Sequence, residues 1–319
     1  MFSFEPKDLP QQQVHSFLVG GVAPRPIALV STISADGIPN LSPFSFFNAF
    51  GSNPPVVAFS ASRRGRDASL KDTYNNMMAT GECVINAVTQ PILEQINLAS
   101  TEYGSDINEW EKCGLSPIKS DIVKPSRAME SPFQMECKLY QMVNVGAGPA
   151  SANIAICEVV KFHVSEDIME NGRIVPSKIH HIGRNGGDYW SDINEKSLFI
   201  LKKPHTKNNI GFDGLPGYIR NSKIFSSNNL ARFGLLETFP EIESANKFIE
   251  KFEPLNANIS EFNNFQLNGD LDSMLRSALF NINEPDLMEI TAREFLENYK
   301  IQEAFYICMY NNQLKNKSS

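Results

Sequence analysis

The chain has 319 residues, of which 42% are apolar, and it carries a formal net charge of −7. This composition suits a folded globular core and excludes an intrinsically disordered chain. The acidic excess excludes a general attraction to nucleic acid or to an anionic membrane surface, so an anionic ligand needs a local positive site.

The start of the chain and its cysteines indicate the compartment. The first residues lack the charged and apolar regions of a secretory signal, and no run of about 18 apolar residues predicts a membrane-spanning helix. The five cysteines are odd in number, widely spaced and without a C-x-x-C motif. The sequence therefore predicts a cytoplasmic protein with reduced, buried thiols and neither a membrane nor a nucleic-acid partner.

The first part of the chain predicts a lead-in followed by many short strands. Residues 1–20 are interpreted as a polar lead-in, and residues 25–32 form a β-branched apolar run typical of a buried strand. The polar residues 69–73 begin a predicted helix that runs through Met78 and that Gly81 ends. Further strand-like runs lie at 56–60, 82–86, 133–145 and 151–165. Short strands with turn signals and few helices favour a closed or partly open barrel over a βαβ sheet.

The last third of the chain changes to helical spacing. Apolar residues between 242 and 252 recur on one face of a predicted helix. The segment 291–294 matches a capping box and predicts a helix from there to about residue 299. We therefore expect a barrel domain over residues 1–205 and a mainly helical extension of unknown role over residues 206–319.

Several well-known chemical motifs are missing from the sequence. It has no P-loop, no G-x-G-x-x-G after a strand, no G-x-S-x-G elbow and no H-E-x-x-H helix. Neighbouring side chains on a strand point to opposite faces, so His180 and His181 are not expected to share one metal ion. The sequence thus predicts no metal site.

An ordered set of segments carries a family resemblance. The segments are Gly20 to Thr32 (GGVAPRPIALVST), Asp36-Gly37, Asn40 to Phe47 (NLSPFSFF), Pro54-Pro55 and Lys71-Asp72-Thr73. Together they resemble the flavin reductase-like, FMN-binding split-barrel family, especially its flavoredoxin-like branch, over roughly residues 10–215. The later segment Gly183 to Trp190 (GRNGGDYW) is similar to a G-R-x-G-G-x-Y segment of that family.

The resemblance implies a fold and an assembly. The expected fold is mainly β, with a Greek-key FMN-binding split β-barrel of six core strands, peripheral helices and a mostly helical C-terminal extension. The resemblance also implies a homodimer with two FMN sites at the subunit interface and NAD(P)H as the electron donor.

The same resemblance assigns the site residues. Lys71, Thr73 and the amides of the helix they begin are expected to hold the phosphate of FMN, because helix N-termini favour anions. The full set expected to bind FMN is Arg25, Ser31, Thr32, Asn40, Ser42, Pro43, Ser45, Phe46, Phe47, Lys71, Asp72 and Thr73. The substrate or partner-subunit side is expected at Arg184, Gly186, Gly187 and Tyr189. The structural alternatives are a strand entry at Arg25, core packing for the phenylalanines and a solvated helix start at Lys71.

The function implied is that of an FMN-dependent oxidoreductase. It would be an NAD(P)H:flavin or small-acceptor reductase that works by ping-pong hydride transfer through FMN, without a catalytic acid or base from the protein. One alternative is a flavoredoxin-like electron carrier that a protein partner reduces. Another is a flavin-free scaffold that has kept the barrel.

Overall fold

The computed structural model describes residues 1–201, 203–204, 208–284 and 286–317. The chain divides into two compact units, Met1–Ile200 and Leu201–Ser319. The boundary predicted between residues 205 and 206 lies outside the described residues.

The first unit is built mainly from strands. Its strands are β1 (Arg25–Pro26), β2 (Ala28–Ile33), β3 (Pro39–Phe44), β4 (Phe47–Ser52), β5 (Pro55–Ser60), β6 (Glu82–Ala87), β7 (Pro117–Ile118), β8 (Arg127–Ala128), β9 (Phe133–Val145), β10 (Ala152–Val164), β11 (Met169–Glu170), β12 (Arg173–Ile174), β13 (Ile182–Arg184) and β14 (Trp190–Asp192). Its helices are α1 (Gln11–Gly21), α2 (Asp72–Thr80), α3 (Leu93–Leu98), α4 (Glu109–Cys113) and α5 (Pro176–Ile179).

Seven antiparallel strands form the main sheet, in the order β3-β2-β6-β9-β10-β5-β4. β3 and β4 stand at opposite ends of this order, although only Ser45 and Phe46 separate them in the chain. The sheet must therefore curl until its two edges approach one another, and the edges are not joined by a ladder. This is a split barrel, so the mainly-β fold is confirmed, with seven strands in the sheet where six core strands were predicted.

Strand β2 is buried on both faces, which explains its unbroken apolar run. Ala28 and Val30 belong to a core cluster shared with β5, β6, β9 and β10. Leu29 belongs to a second cluster, which contains Ile96 on α3 and Trp110 on α4. The alternation follows from the two-residue period of a strand. Helices α3 and α4 therefore cover one face of the sheet beside β2 and β3.

Two local predictions near the barrel have opposite outcomes. The helix predicted to end at Gly81 is confirmed, because α2 closes there with a left-handed glycine at φ 68°. The interpretation of residues 1–20 as a lead-in was wrong, because α1 occupies Gln11–Gly21. None of the α1 residues is buried, and its helical spacing of apolar residues is limited to Val14, Phe17 and Leu18, which is too short a pattern to identify the helix by itself.

The second unit is helical, as predicted for this part of the chain. Its helices are α6 (Gly217–Arg220), α7 (Ser227–Phe233), α8 (Ile242–Ile249), α9 (Ile259–Asn268), α10 (Leu271–Phe280), α11 (Leu287–Glu297) and α12 (Ile301–Lys317). Phe233, Met274, Phe295 and Phe305 are fully buried in a separate core. None of the helices in the described ranges has both the length and the apolar character that a bilayer crossing requires.

The capping box predicted at residues 291–294 was wrong. α11 begins at Leu287, so Thr291 lies inside the helix. The Thr291 hydroxyl donates a hydrogen bond of 2.8 Å to the Leu287 carbonyl oxygen, four residues earlier. A threonine that bonds back in this way is a helix-interior residue, and the sequence spacing alone does not separate it from a cap.

Candidate functional site

The N-terminus of α2 presents free donors beside a lysine. Lys71 is the N-cap residue, and no side chain caps the helix. In the described part of the chain, no acceptor is bonded to the N–H groups of Asp72 and Thr73. These are the unsatisfied donors that every helix start carries, at the positive end of its dipole.

The Lys71 ammonium is a desolvated cation. The side chain is half-buried, and its Nζ lies 5.2 Å from the centre of the Phe44 ring. Burial lowers the pKa of Lys71, and the carboxylate of Glu102 opposes this shift. Among the described residues, no carboxylate forms an ion pair with Lys71. A partly buried cation beside free helix amides favours a bound anion.

Lys71 lies in a small polar cavity, called here the Lys71 cavity. Its polar lining also includes Asn40, Ser42, Arg64, Asp72, Ser100 and Glu109. Arg64 is already engaged, because it pairs with Asp72 at 3.4 Å and donates to the Leu70 carbonyl at 2.5 Å. Glu109 accepts a hydrogen bond from the Leu41 amide at 3.3 Å, and burial raises the pKa of its carboxyl group. Lys71 is therefore the cation in this cavity that remains available to an anion.

A buried network fixes α2 against the sheet beneath this cavity. The Asn40 amide donates to the hydroxyl oxygens of Thr32 at 3.1 Å and Thr73 at 3.0 Å. The Asn76 amide donates to Thr32 at 3.1 Å. Asn40, Thr32 and Thr73 were predicted as FMN ligands, and the structure brings them together. Because their polar atoms bond mainly to one another, the network holds the helix start in place.

A second cavity continues along the same strand, and it is called here the Arg184 cavity. It has a volume of about 150 Å³ and is lined by Ile27, Pro43, Ser45, Ile96, Arg184 and Trp190, among others. Ser100 lines both cavities, and Ser42 and Pro43 are consecutive residues that line one each. The two cavities are therefore neighbours, and together they are called here the cleft, with a cationic polar end at Lys71 and a more apolar end at Trp190.

Arg25 and Ser31 are placed elsewhere by the structure. The Arg25 guanidinium donates to the carbonyl oxygens of Val19 at 2.5 Å, Val22 at 2.7 Å and Asn185 at 3.2 Å. It lines neither cavity and instead ties the end of α1 to the segment after β13. The Ser31 hydroxyl donates to the Ser126 carbonyl oxygen at 2.5 Å.

The predicted aromatic residues Phe46 and Phe47 do not line the Lys71 cavity. Phe46 is 40% exposed and lies beside His15, with ring centres 6.3 Å apart. Phe47 lines a third cavity of about 340 Å³, which is mostly apolar and is also lined by Phe133 and His181. Burial lowers the pKa of His181, which favours the neutral imidazole.

The glycine-rich segment packs against α1. A side chain at Gly186 would meet the Gly20 Cα at 3.1 Å, so this close approach requires glycine. Gly187 has a φ of 59°, and Tyr189 is 77% exposed. Of the four residues expected on the substrate or partner side, Arg184 is the one that lines the cleft.

Several cleft residues were not predicted. Arg64, Ser100, Thr101 and Glu109 line the Lys71 cavity. They come from loops and helix ends that carry no motif, so a single sequence offers no local signal for them. Their spatial proximity to Lys71 follows only from the folded barrel.

One group of potential metal ligands occurs in the described part of the chain. Ligand atoms of Asp121, Glu136 and His163 all lie within 4.8 Å of one another. Glu136 already accepts the backbone N–H groups of residues 121, 122 and 123 at 2.8, 2.6 and 2.9 Å, and His163 lies 2.7 Å away. This carboxylate therefore anchors a loop, and the absence of a metal site stays a prediction.

The cleft fits the chemical parts of FMN. A phosphate group matches the unpaired Lys71 ammonium and the two free amides of α2. The distance from Ser42 to Ser45 along an extended chain is about 10 Å, which suits a ribityl chain between phosphate and ring. The walls at Ile27, Pro43 and Trp190 suit the edge of a flat ring system.

Comparison with known proteins identifies a family for the barrel unit. A sequence model described as "Flavin reductase like domain" matches residues 20–179. A protein of Aquifex aeolicus is 39% identical over 188 residues, covering 59% of this chain and 93% of its own length. Nitrilotriacetate monooxygenase component B from Bacillus cereus is similar in structure, with a TM-score of 0.59 and 29% identity over 63% of this chain and 98% of its own.

A second solved structure is similar over the same extent. Pseudomonas fluorescens 2-nitrobenzoate 2-nitroreductase has a TM-score of 0.57 and 25% identity, covering 66% of this chain and 100% of its own. These matches support a flavin-related oxidoreductase. The family match lies within the first compact unit and contains β1 to β12 and the Lys71 cavity. The chain therefore belongs to the flavin reductase like domain family.

Proposed function

We propose that the chain binds FMN non-covalently in the cleft between Lys71 and Arg184 and works as an NAD(P)H-dependent oxidoreductase. The observation that carries this proposal is the half-buried Lys71 ammonium, which has no ion pair among the described residues and adjoins two free helix amides. Such a site is incomplete without an anion. Membership of the flavin reductase like domain family supports the phosphate of a flavin as this anion.

The residues of the cleft have separate roles in this proposal. Lys71 and the amides of Asp72 and Thr73 hold the phosphate, and the Asn40 network keeps these donors in position. The polar groups of Ser42 and Ser45 line the path of the ribityl chain and the pyrimidine edge.

Bound FMN supplies the hydride chemistry, so no side chain of this chain has to act as a general acid or base. The cleft lies on the surface of the first unit, and the sequence lacks a Rossmann fingerprint. The nicotinamide nucleotide therefore needs only a transient place in the open cleft. The nicotinamide nucleotide and the electron acceptor would then bind in turn at the same open part of the cleft, which predicts ping-pong kinetics.

A homodimer belongs to the same proposal. β4 is an edge strand of the main sheet, and Phe50 on it is 70% exposed. An exposed apolar edge strand is a site for pairing or for cover by another surface. Size-exclusion chromatography with light scattering measures the mass directly, and a species of one chain contradicts the dimer.

Anaerobic titration of the full chain loaded with FMN tests the enzyme proposal. We expect NADH or NADPH to bleach the flavin absorbance at a rate well above that of free FMN with the same donor. Exchange of the donor for a small acceptor restores the absorbance. A chain that takes up FMN but shows only the rate of free FMN contradicts direct reduction by NAD(P)H.

The second candidate is an electron carrier reduced by another protein. The exposed aromatic side chains Phe46 and Tyr189, which are 40% and 77% exposed, favour a protein partner at this surface. This candidate predicts tight FMN binding, slow bleaching by NADH and NADPH, and fast bleaching by a reduced redox protein. The same titration therefore separates the two candidates.

A further inference from the structure

Arg184 is a cation without a counterion. It lies on β13 and lines the apolar end of the cleft. Its Nη1 atom is buried and has no hydrogen-bond partner, and among the described residues no carboxylate pairs with its guanidinium. An unsatisfied buried donor on a charged group is unfavourable, so a ligand that supplies negative charge would complete it.

A second positive charge lies directly beside it. Arg25 on β1 is opposite Arg184 in the strand pairing. Burial lowers the pKa of Arg25, and the charge of Arg184 lowers it further. The hydrogen bonds of Arg25 go to neutral carbonyl oxygens, so they do not neutralise either charge. Among the described residues, neither guanidinium therefore has a carboxylate counterion.

The position of the Arg184 guanidinium is fixed by an aromatic contact. Its central carbon lies 4.3 Å from the centre of the Trp190 ring, which is close enough for a cation–π interaction. Arg184 and Trp190 are also opposite each other in the pairing of β13 with β14. The cation is held in place before any ligand arrives, which is the arrangement that makes an electrostatic effect large.

The two cations of the cleft stand at its two ends. Lys71 adjoins Ser42, and Arg184 adjoins Ser45, about 10 Å further along the extended chain. A ligand that places a phosphate at Lys71 and a flat ring toward Trp190 brings its ring to the Arg184 charge. The ring of oxidised FMN is neutral, whereas reduction at neutral pH leaves negative charge on it.

We propose that Arg184, fixed by Trp190, is the residue that makes the cleft bind reduced FMN more tightly than oxidised FMN. It would thereby set the midpoint potential of the bound flavin. The inference rests on the proposed binding of FMN and adds to it the group that distinguishes the two redox states. Lys71 faces the phosphate, whose charge does not change, so Lys71 does not discriminate between them.

The test uses the full chain and the variants Arg184→Gln and Arg184→Lys. The dissociation constant of oxidised FMN is measured by quenching of flavin fluorescence, and the midpoint potential of bound FMN is measured anaerobically with reference dyes. We expect Arg184→Gln to weaken the binding of reduced FMN about tenfold relative to that of oxidised FMN. For a two-electron couple this ratio lowers the potential by about 30 mV.

Arg184→Lys separates the effect of the charge from that of its geometry, and one further variant controls for the loss of a surface arginine. Arg184→Lys keeps the charge but loses the planar contact with Trp190, so we expect a smaller fall in potential than with glutamine. Arg173→Gln removes an exposed arginine on β12, and we expect no change in potential. Thermal unfolding of each variant shows whether it is folded before its potential is compared.

An unchanged potential in Arg184→Gln with FMN bound overturns the inference and leaves the proposed function standing. Equal weakening of both redox states also overturns it, because Arg184 then only contributes to general affinity. If Arg184→Gln dissociates the oligomer without changing the potential, the counterion belongs to a second chain and the inference fails. A wild-type chain that takes up no FMN refutes the proposed function and this inference together.

Discussion

Replacement of Lys71 by methionine should have opposite effects on FMN affinity and on the stability of the flavin-free chain. Methionine keeps an apolar contact with the Phe44 ring, 5.2 Å from the wild-type ammonium, but it removes the charge. If Lys71 is the phosphate ligand, FMN affinity falls. If Lys71 is a desolvated charge in the flavin-free chain, its removal does not lower the unfolding temperature.

The size of the affinity loss follows from the contact that is removed. A hydrogen bond to a charged group contributes about 1.5–3 kcal/mol, which corresponds to a dissociation constant roughly 10- to 150-fold higher. The free amides of Asp72 and Thr73 remain in the variant, so residual FMN binding is expected.

The stability effect depends on pH in a defined direction. Burial lowers the pKa of Lys71 in the folded chain, so the folded state binds this proton less readily than the unfolded state. The resulting destabilisation is fully present below the folded pKa and disappears as pH rises to the ordinary lysine pKa. The free energy of unfolding of the wild type should therefore rise as the pH becomes alkaline, and Lys71→Met should lack this rise.

Fluorescence titration with FMN and thermal unfolding across pH measure the two effects. Lys138→Met is the matched control, because Lys138 is an exposed lysine on β9, and it should change neither quantity. The reasoning is refuted if Lys71→Met binds FMN with wild-type affinity, or if its flavin-free form unfolds at a clearly lower temperature than the Lys138 control.

Three further predictions concern other parts of the barrel unit. Burial alone would raise the pKa of Glu136, but three backbone N–H groups and His163 lower it to about 2. Glu136→Gln should therefore lower the free energy of unfolding at pH 7 by about 3 kcal/mol, as measured by chemical denaturation. The wild type should lose the same stabilisation as the pH falls from 4.5 toward 2. Glu109→Gln removes a buried carboxyl group beside the proposed phosphate position but keeps an oxygen acceptor for the Leu41 amide. It should therefore strengthen FMN binding about threefold in the fluorescence titration. An unchanged affinity would place the phosphate elsewhere. Gly183→Ala would bring a methyl group within 2.8 Å of the Pro24 Cβ, so it should lower the free energy of unfolding by about 1–3 kcal/mol, as measured by thermal unfolding. An unaltered melting curve would show that β1 and β13 separate freely.

The strands of the barrel were predictable because their burial leaves a local signal. The alternation of Ala28, Leu29 and Val30 between two cores makes a continuous apolar run, which a single sequence displays. Helix α1 has no buried residue, and its apolar spacing at Val14, Phe17 and Leu18 is too short to identify a helix by itself. Thr291 matched a cap by spacing, although it bonds within the helix to the Leu287 carbonyl.

The candidate site was predictable only where motif and position coincide. Lys71 and Thr73 lie at a helix start, and both come to the cleft. Arg25 has the same charge as Lys71, but its guanidinium donates hydrogen bonds to backbone carbonyl oxygens that only the folded chain brings near it. Glu109 reaches Lys71 from a segment nearly forty residues away, for which the sequence holds no local indication. Long-range proximity of this kind needs the structure.

The contribution of the phosphate group tests the central claim most directly. The full chain is titrated with FMN and with riboflavin, which has the same ring and ribityl chain but lacks the phosphate. If the phosphate lies against Lys71 and the free amides of α2, FMN should bind at least about tenfold more tightly than riboflavin. Equal affinity for the two flavins would contradict the account.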